Sequence, residues 1–446
     1  MAHRLFGTDG VRGLAGAYPL DRPTIARIGA AVVRALPRAS GAHRVIIGRD
    51  TRESGPWIEQ ELVRGARSAG AQVITAGVIP TPAIAYLTRY EEYNAGIVIS
   101  ASHNPYEDNG IKVFTGDGEK FDEDLERHIE EVVADASWQV GPAAGPPARA
   151  CDMVPSYMVH ARTALTDLIT LRRSRIAIDC ANGATVSVAP RLFRELGFEV
   201  TTLGGEPDGR NINLGCGSTH PERLVDAVRA GGFRVGIAFD GDGDRAVLVD
   251  HLGRVVDGDA VLYLCAKHFK TRGELRKNTV VATVMSNIGL ELGLRKHGID
   301  LLRTPVGDKY VAEVIAQRQL SLGGEQSGHI IFSDMLFTGD GIVTALNVLR
   351  VMAESGRELS DLAGEYVRYP QVLVNVRVRE KQDYTLVPEI ASVVAETERQ
   401  LAGQGRLLVR YSGTEPLLRI MIEGQDQAEI DRQAHAIADV VRTHLG

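Results

Sequence analysis

The sequence predicts an α/β protein with three similar α/β domains, whose sheets are mixed and largely parallel, and a smaller C-terminal α+β domain. Short apolar runs that end in glycine or polar turns alternate with segments of helical period over most of the chain, which is the pattern of βα units. Near residue 370 this pattern gives way to single alternation of apolar and polar residues, as in a half-exposed antiparallel strand. With 446 residues, the chain is too long for one hydrophobic core. We expect domains at residues 1–156, 157–256, 257–369 and 370–446.

The elements of the three α/β domains are predicted from their apolar patterns. The first helix has one apolar face, which is formed by Ile25, Ile28, Val32 and Leu36. Buried-type strands are predicted at residues 44–48, 96–100, 175–179, 235–239 and 279–283. A Gly/Pro-rich stretch at residues 141–147 cannot continue regular structure, so we expect a loop there.

The C-terminal domain begins with a predicted strand that has one apolar face, formed by Val372, Val374, Val376 and Val378. Two more strands are predicted at residues 407–411 and 417–423, on either side of a polar loop. A helix follows, and its apolar stripe holds Ile430, Ala434, Ile437 and Val441.

Charge and hydropathy exclude several classes of protein. The chain has 50 Lys and Arg residues against 57 Asp and Glu residues, and the net charge of −7 argues against a protein that coats nucleic acid or anionic membranes. Because no apolar stretch is long enough for a secretory signal or a membrane span, we expect a cytoplasmic protein. The cysteines lack metal-binding spacing and are expected to be reduced: Cys151, Cys180, Cys216 and Cys265.

Residues 100–105, Ser-Ala-Ser-His-Asn-Pro, directly follow a predicted buried strand. Open α/β sheets bind their ligands at the carboxyl ends of strands, which favours an active-site loop. A plain turn is the alternative, because Ser and Asn-Pro are common in turns. The sequence has no G-x-S-x-G motif, and no nearby carboxylate completes a Ser-His-Asp triad, which disfavours acyl transfer.

A second polar loop, Asp240-Gly-Asp-Gly-Asp-Arg245, follows another predicted strand. Three carboxylates at every second residue, separated by glycine, can converge on one hard cation. An EF-hand needs Gly at position six and Glu at position twelve of its loop, where this sequence has Arg245 and His251. A solvated acidic turn remains the alternative.

Three further loops carry polar groups suited to a phosphosugar. Residues 410–416, Arg-Tyr-Ser-Gly-Thr-Glu-Pro, with Arg419 close behind, offer hydroxyls, backbone N–H groups and charge for a phosphate, or form a plain hairpin loop. Residues 323–329 gather Glu325, Ser327 and His329, which could hydrogen-bond sugar hydroxyls. Residues 6–13 follow no predicted strand and do not fit G-x-G-x-x-G, and their Arg12 is either an anion ligand or a structural arginine.

Taken together, the order and spacing of these five loops resemble those of the α-D-phosphohexomutase superfamily. The resemblance spans essentially the whole chain and rests on the joint occurrence of FGTDGVRG, SASHNP, DGDGDR, GEQSGH and SGTEP. Residues 208–213 and 216–222 resemble the amino-sugar branch, the bacterial phosphoglucosamine mutases, rather than the phosphomannomutases. The resemblance implies four domains arranged around a central cleft.

The resemblance also implies roles for individual residues. One Mg²⁺ per subunit would be bound by a phosphoryl-carrying serine and three carboxylates, namely Ser102, Asp240, Asp242 and Asp244. The catalytic residues near the serine would be Arg12, Lys112 and His103, with Arg245 in support. The substrate sugar would contact Glu325, Ser327 and His329. The non-reacting phosphate would be held by Arg410, Ser412, Gly413, Thr414 and Arg419.

The implied activity is an isomerase that moves phosphate between O6 and O1 of glucosamine, through a phosphoserine enzyme and a sugar 1,6-bisphosphate that serves as intermediate and activator. It would feed the synthesis of UDP-N-acetylglucosamine and cell-wall precursors. The expected partner is a small hexosamine phosphate, without nucleic acid or membrane, and a homodimer is in keeping with the family.

The sequence departs from the usual pattern of the family at two positions. These are Tyr411, where many relatives have Pro, and Lys309, where Arg is more usual. Three alternatives stay open: phosphoglucomutase or phosphomannomutase activity, a phosphosugar-binding protein without turnover, and a phosphatase-like hydrolase.

Overall fold

The computed structural model describes residues 5–7, 9–37, 41–144, 146–165, 169–401, 403–412 and 415–446. The chain forms two compact units. The first comprises the residues up to Met285 together with Leu301–Glu365, and the second comprises Ser286–Asp300 and Tyr366–Gly446. The described residues form four β-sheets.

The first sheet has seven strands in the spatial order β1-β2-β6-β5-β3-β4-β7. Their bounds are β1 (Phe6–Gly7), β2 (Gly10–Leu14), β3 (Arg44–Arg49), β4 (Gln72–Val78), β5 (Ala95–Ile99), β6 (Asp108–Thr115) and β7 (Arg149–Ala150). The strands β5, β3, β4 and β7 pair in parallel, whereas β1, β2 and β6 add an antiparallel edge. The segment that the sequence analysis left without a strand thus forms the hairpin β1–β2.

Four helices pack with this sheet: α1 (Arg22–Ala35), α2 (Gly55–Ser68), α3 (Thr81–Tyr90) and α4 (Glu123–Ala134). Asp21 caps the N-terminus of helix α1, because its carboxylate accepts a hydrogen bond from the backbone N–H of Thr24 that has no partner within the helix. Its predicted apolar residues Ile25, Ile28 and Val32 are fully buried in the core of the sheet, whereas Leu36 lies just past the end of the helix.

The second sheet has the order β12-β11-β10-β8-β9. Its strands are β8 (Arg175–Asp179), β9 (Glu199–Leu203), β10 (Val235–Phe239), β11 (Ala246–Asp250) and β12 (Val255–Val256), and the helices of this region are α5 (Val154–Arg162), α6 (Ala189–Glu195) and α7 (Glu222–Gly231). Strands β10 and β11 form an antiparallel hairpin, and the acidic loop of residues 240–245 connects them.

The third sheet has the order β14-β13-β15-β16, with β13 (Thr279–Thr283), β14 (Asp300–Thr304), β15 (Leu322–Gly324) and β16 (Ile330–Phe332). The helices of this part of the chain are α8 (Gly258–Arg272), α9 (Ile288–Lys296), α10 (Asp308–Arg318), α11 (Gly341–Ser355) and α12 (Leu359–Ala363). Gly323 and Gly324 belong to β15, so the loop expected at residues 323–329 is the shorter connection from β15 to antiparallel β16.

The second unit contains an antiparallel sheet in the order β17-β19-β18. Besides α9, this unit contains β17 (Gln371–Arg377), β18 (Arg406–Tyr411), β19 (Leu417–Glu423), α13 (Pro388–Leu401) and α14 (Gln427–Leu445). The predicted apolar stripe of α14 is buried against this sheet. Three α/β sheets and a smaller α+β unit therefore confirm the predicted fold class. None of the helices in the described ranges has both the length and the apolarity needed to cross a bilayer.

Candidate active site

Ser102 lies in the loop that follows β5 and is almost completely buried. Its hydroxyl donates a hydrogen bond of 2.6 Å to Oδ2 of Asp240, and its backbone N–H donates to Oγ of Ser100 at 2.9 Å. The backbone of Ser102 has a φ of +52°, in the left-handed region that residues with a side chain seldom adopt. Such strain persists only where the surrounding structure holds it, and it is common at functional sites.

Two side chains, from the loops that follow β3 and β9, hold the serine loop in this conformation. Arg52 is fully buried and donates to the carbonyl oxygens of Ser102 and Asn104, at 3.2 and 2.6 Å. Asn213 donates to the same two oxygens at 2.9 and 3.1 Å. Asp50 forms an ion pair with Arg52 and so neutralises its buried charge. The sequence pattern does not predict this support, although Asp50 and Arg52 follow directly after a correctly predicted strand.

The three aspartates of the β10–β11 loop are buried, and one side-chain oxygen from each lies within 4.8 Å of the others. Gly243, with a φ of +75°, makes the tight turn that brings them together. Oδ1 of Asp240 accepts hydrogen bonds from the N–H groups of Gly243 and Arg245, both at 3.1 Å. Burial, together with the neighbouring charges of Asp244 and Asp242, raises the pKa of Asp240 well above its ordinary value.

This cluster fits a hard divalent cation. Within the described part of the chain, the buried Oδ1 atoms of Asp242 and Asp244 have no hydrogen-bond partner, which leaves two carboxylate oxygens able to bind a cation. The ligand atoms on offer are all oxygens, as Mg²⁺ prefers. A cation would also relieve the repulsion between three buried carboxylates.

Lys112, on β6, faces the aspartates from the first sheet. Its Nζ lies 2.9 Å from Oδ2 of Asp242, 3.1 Å from Oδ2 of Asp244 and 3.1 Å from Oδ2 of Asp9. Burial opposes the ammonium form, but the three carboxylates outweigh it and raise the pKa of Lys112 well above its ordinary value. Lys112 is therefore a fixed positive charge at neutral pH.

Arg12, on β2, approaches the serine loop from the other side. Its Nη1 lies 3.4 Å from the carbonyl oxygen of Ala101 and 3.4 Å from Oδ1 of Asn104. Its other terminal nitrogen forms an ion pair with Asp9. Arg12 thus brings a second positive charge to the serine loop.

The imidazole of His103 lies between the serine and Arg245. Its Nδ1 is 3.3 Å from Oγ of Ser102 and 3.2 Å from Nη1 of Arg245. Burial, assisted by the charges of Arg245 and Arg12, lowers the pKa of His103 to about 4. The ring is therefore neutral at pH 7 and able to accept a proton.

The predicted sugar-reading residues occupy different environments. Glu325 accepts a hydrogen bond of 3.2 Å from the N–H of Gly307, and the exposed Ser327 donates to it at 3.4 Å. His329 is buried, with Nδ1 3.6 Å from Oδ1 of Asp244. Its Nε2 accepts a hydrogen bond of 3.0 Å from the N–H of Gly339. Thus His329 lies with the aspartate cluster, whereas Ser327 lies at the surface.

These loops of the first unit line one cavity of about 440 Å³, a size that suits a small-molecule ligand. Its charged and polar lining residues are Asp9, Arg12, His103, Asp244, Arg245, Asp308, Glu325 and His329. Four of the five sequence motifs contribute to this cavity or to the serine and aspartates beside it.

The predicted phosphate clamp lies in the second unit. Arg410 on β18 and Arg419 on β19 are direct cross-strand partners. Nη2 of Arg419 lies 3.3 Å from Oγ of Ser412, which is buried at the end of β18. The other two predicted clamp residues, Gly413 and Thr414, lie outside the described residues.

Comparison with known proteins gives consistent matches along the chain. The models described as phosphoglucomutase/phosphomannomutase alpha/beta/alpha domains I, II and III match residues 3–140, 155–253 and 257–369, and the C-terminal domain model matches residues 373–440. The chain is similar to phosphoglucosamine mutase of Syntrophotalea carbinolica, with 48% identity over 451 residues that cover 100% of this chain and 99% of the relative.

Solved structures share the fold. A phosphoglucomutase/phosphomannomutase family protein from Burkholderia thailandensis superposes with a TM-score of 0.82 at 24% identity, covering 100% of this chain and 99% of that one. The N-acetylphosphoglucosamine mutase of Aspergillus fumigatus, solved with GlcNAc-6P and magnesium, gives a TM-score of 0.68 at 18% identity, with 98% and 95% coverage.

Proposed function

The chain belongs to the phosphoglucomutase/phosphomannomutase family, and on that premise we propose that it interconverts glucosamine 6-phosphate and glucosamine 1-phosphate. The full-length similarity to a phosphoglucosamine mutase supports the choice of the amino sugar. The observation that carries the proposal is the strained, buried Ser102, whose hydroxyl lies 2.6 Å from one of three clustered aspartates. The product would serve the synthesis of UDP-N-acetylglucosamine and cell-wall precursors.

Ser102 acts as the carrier of a phosphoryl group. In the first half-reaction, the bond between phosphorus and Oγ of phospho-Ser102 breaks while a sugar hydroxyl forms a new bond to phosphorus, which gives a sugar 1,6-bisphosphate. In the second, Oγ of Ser102 takes the other phosphoryl group and the bond to the sugar oxygen breaks. Each half-reaction moves one proton, which leaves the attacking hydroxyl and ends on the departing oxygen.

The neighbouring side chains have complementary tasks. Lys112 and Arg12 stabilise the negative charge of the transferring phosphoryl group, because Arg12 is a cation fixed beside the serine loop and Lys112 is one fixed beside the aspartate cluster. Neither can accept a proton at neutral pH, since Lys112 is held in its ammonium form and a guanidinium does not deprotonate. Two groups near Oγ of Ser102 can do so: the carboxylate of Asp240 at 2.6 Å, which this proposal assigns to the cation, and the neutral imidazole of His103 at 3.3 Å.

One Mg²⁺ per subunit would be held by oxygens of Ser102, Asp240, Asp242 and Asp244. When bound, it would neutralise the phosphoryl oxygens and so lower the barrier to transfer in both directions. The buried all-oxygen cluster with an unpartnered Oδ1 on Asp242 supports this assignment. The hydroxyl groups of the sugar are bound by Glu325, Ser327 and His329. The phosphate that does not react is bound by Arg410, Ser412, Gly413, Thr414 and Arg419.

We also propose the domain division at residues 1–156, 157–256, 257–369 and 370–446. Each of the four sheets falls within one of these ranges, which supports the division.

The proposal is tested by measuring kcat/KM of the Mg²⁺-loaded protein on glucosamine, glucose and mannose 6-phosphates, with the matching bisphosphate as activator. We expect the glucosamine substrate to have the highest value. A higher value for glucose or mannose would reassign the enzyme within the family. Release of inorganic phosphate without isomerisation would indicate a hydrolase, and binding without turnover would indicate a phosphosugar-binding protein.

A further inference from the structure

A single carboxylate, that of Asp9, contacts three cations. Asp9 lies between β1 and β2, and its Oδ2 pairs with Arg12 and, at 3.1 Å, with Nζ of Lys112. Its Oδ1 lies 2.5 Å from Nζ of Lys120. Both oxygens are therefore engaged, and Asp9 lies outside the group of aspartates that fits a metal ion.

The cations that share Asp9 reach different parts of the site. Arg12 faces the serine loop, while Lys112 faces Asp242 and Asp244. Arginine and lysine have long, flexible side chains, so a fixed common partner is needed to hold two of them close together. Because the two cations also repel each other, a negative charge between them keeps both in place.

Asp9 is itself fixed by a second ion pair. Lys120 bridges Asp9 to Asp308, the first residue of α10, 188 residues further along the chain. The side chains of Lys120, Asp9 and Asp308 are 17%, 20% and 14% exposed, so water screens these charges only in part. Asp9 and Asp308 both line the cavity of the site.

We propose that Asp9 is a positioning residue for phosphoryl transfer. Its carboxylate holds Arg12 beside the serine loop and Lys112 beside the aspartate cluster, and the Lys120–Asp308 pair holds Asp9 itself in place. This inference rests on the proposed function, because it assigns Asp9 a task in that reaction. Asp9 itself touches neither the serine nor the aspartate cluster in any described contact; it acts through the two cations.

The test compares Asp9→Asn with wild type in the mutase assay. The amide keeps the size of the side chain but removes its charge, so we expect kcat to fall about 10- to 100-fold, with a smaller change in KM. Lys120→Met should also lower kcat, as Asp9→Asn does. Lys120→Arg should retain most of the activity because it keeps the positive charge. Asp117→Asn is the control, since Asp117 is an exposed acid in the same region.

A double-mutant cycle separates positioning from a general structural effect. If Asp9 acts through Lys112, Asp9→Asn should cost much less in a Lys112→Met background than in wild type. An equal loss in both backgrounds, or a kcat within twofold of wild type for Asp9→Asn and Lys120→Met, would overturn the inference. If Asp9→Asn does not fold, as judged by circular dichroism, Lys120→Met carries the same test. A wild type without turnover would overturn the proposed function as well, whereas an active wild type beside a fully active Asp9→Asn would overturn only the role of Asp9.

Discussion

The hydroxyl of Ser102 donates a hydrogen bond of 2.6 Å to Asp240, 138 residues away along the chain. Ser102 follows a strand of the first sheet and Asp240 follows a strand of the second, so the contact joins two α/β sheets at the carboxyl ends of their strands. Together they place a hydroxyl beside a carboxylate cluster that suits a divalent cation, and this arrangement is what a phosphoryl carrier requires.

Removal of the serine hydroxyl should abolish turnover. We expect Ser102→Ala to lower kcat by at least ~10³-fold, because the alanine has no hydroxyl to carry the phosphoryl group in the proposed reaction. A steady-state mutase assay measures this, and equal mobility in size-exclusion chromatography shows that the variant is folded. A loss below tenfold would contradict the assignment.

Mg²⁺ should stabilise the folded protein through the aspartates. At a concentration of 100 times its Kd, a ligand that binds only the folded state adds about 2.7 kcal/mol, so the wild type should show a clear rise in Tm. Asp242→Asn removes one of the two carboxylates with an unpartnered oxygen, and its Tm should rise only at higher Mg²⁺. Asp226→Asn, an exposed change on α7, is the control. Equal Mg²⁺ responses in wild type and Asp242→Asn would argue against this metal site.

Arg52 should support both stability and activity. Breaking a buried ion pair typically costs about 3–5 kcal/mol, so Arg52→Met should lower the free energy of unfolding by a similar amount, as measured with urea. Arg52→Lys keeps the charge beside Asp50 but cannot donate to both loop carbonyls. Compared with Arg52→Met, Arg52→Lys should therefore restore more of the free energy of unfolding than of kcat. Parallel recovery of both quantities would show that the loop contacts of Arg52 are dispensable.

Arg419 should contribute to substrate binding rather than to folding. Its charge-assisted hydrogen bonds to a phosphate would be worth about 1.5–3 kcal/mol, so Arg419→Ala should raise KM about 10- to 100-fold. The urea midpoint should fall much less than after Arg52→Met, because the side chain of Arg419 is about one-third exposed, whereas that of Arg52 is fully buried. Arg432→Ala, on the exposed face of α14, is the matched control. A KM equal to that of the control would remove Arg419 from the predicted clamp.

His160 should make the protein less stable in mild acid. Burial lowers the pKa of His160 to about 4 from an ordinary 6.5. Between these two pH values, the imidazole is therefore mostly protonated in the unfolded chain and mostly neutral in the folded protein. Stability is therefore lost as the pH falls from about 6.5 toward 4, by about 2 kcal/mol at pH 5 from this residue. Urea unfolding near pH 7.5 and pH 5 should show a smaller loss for His160→Gln than for wild type. The same pH dependence in both proteins would contradict this prediction.

The sequence was sufficient for those features that are local in the chain. Strands β3, β5, β8, β10 and β13 were found from their apolar runs, and the buried stripe of α14 from its period. The acidic loop was recognisable because its carboxylates are close together in the sequence and follow a buried strand.

The features that sequence analysis missed arise from contacts between distant segments. Arg52 and Asn213 support the site only because folding brings them to the serine loop, and Asp9 does so because folding brings Lys112 and Lys120 to it. Asp9 and Asn213 lie in motifs that the sequence analysis quoted, but a motif does not show which distant residues its members contact. The hairpin β1–β2 was missed because it is short and rich in glycine. Gly10 has a φ of +81°, and a Cβ there would lie 2.4 Å from the carbonyl oxygen of Ile111, so the glycine that weakens the strand signal is what lets the hairpin join the sheet.

The mass of the Ser102 peptide after turnover tests most directly whether the phosphate of the substrate passes through Ser102. The protein is incubated with Mg²⁺ and glucosamine 6-phosphate whose phosphate carries heavy oxygen, then digested and analysed by mass spectrometry. We expect a Ser102 peptide that is heavier than the unmodified one by about 80 Da plus the mass of the heavy oxygen, because substrate phosphate must pass through Ser102. Turnover that leaves Ser102 unmodified, or that places the heavy phosphate on another residue, would contradict it.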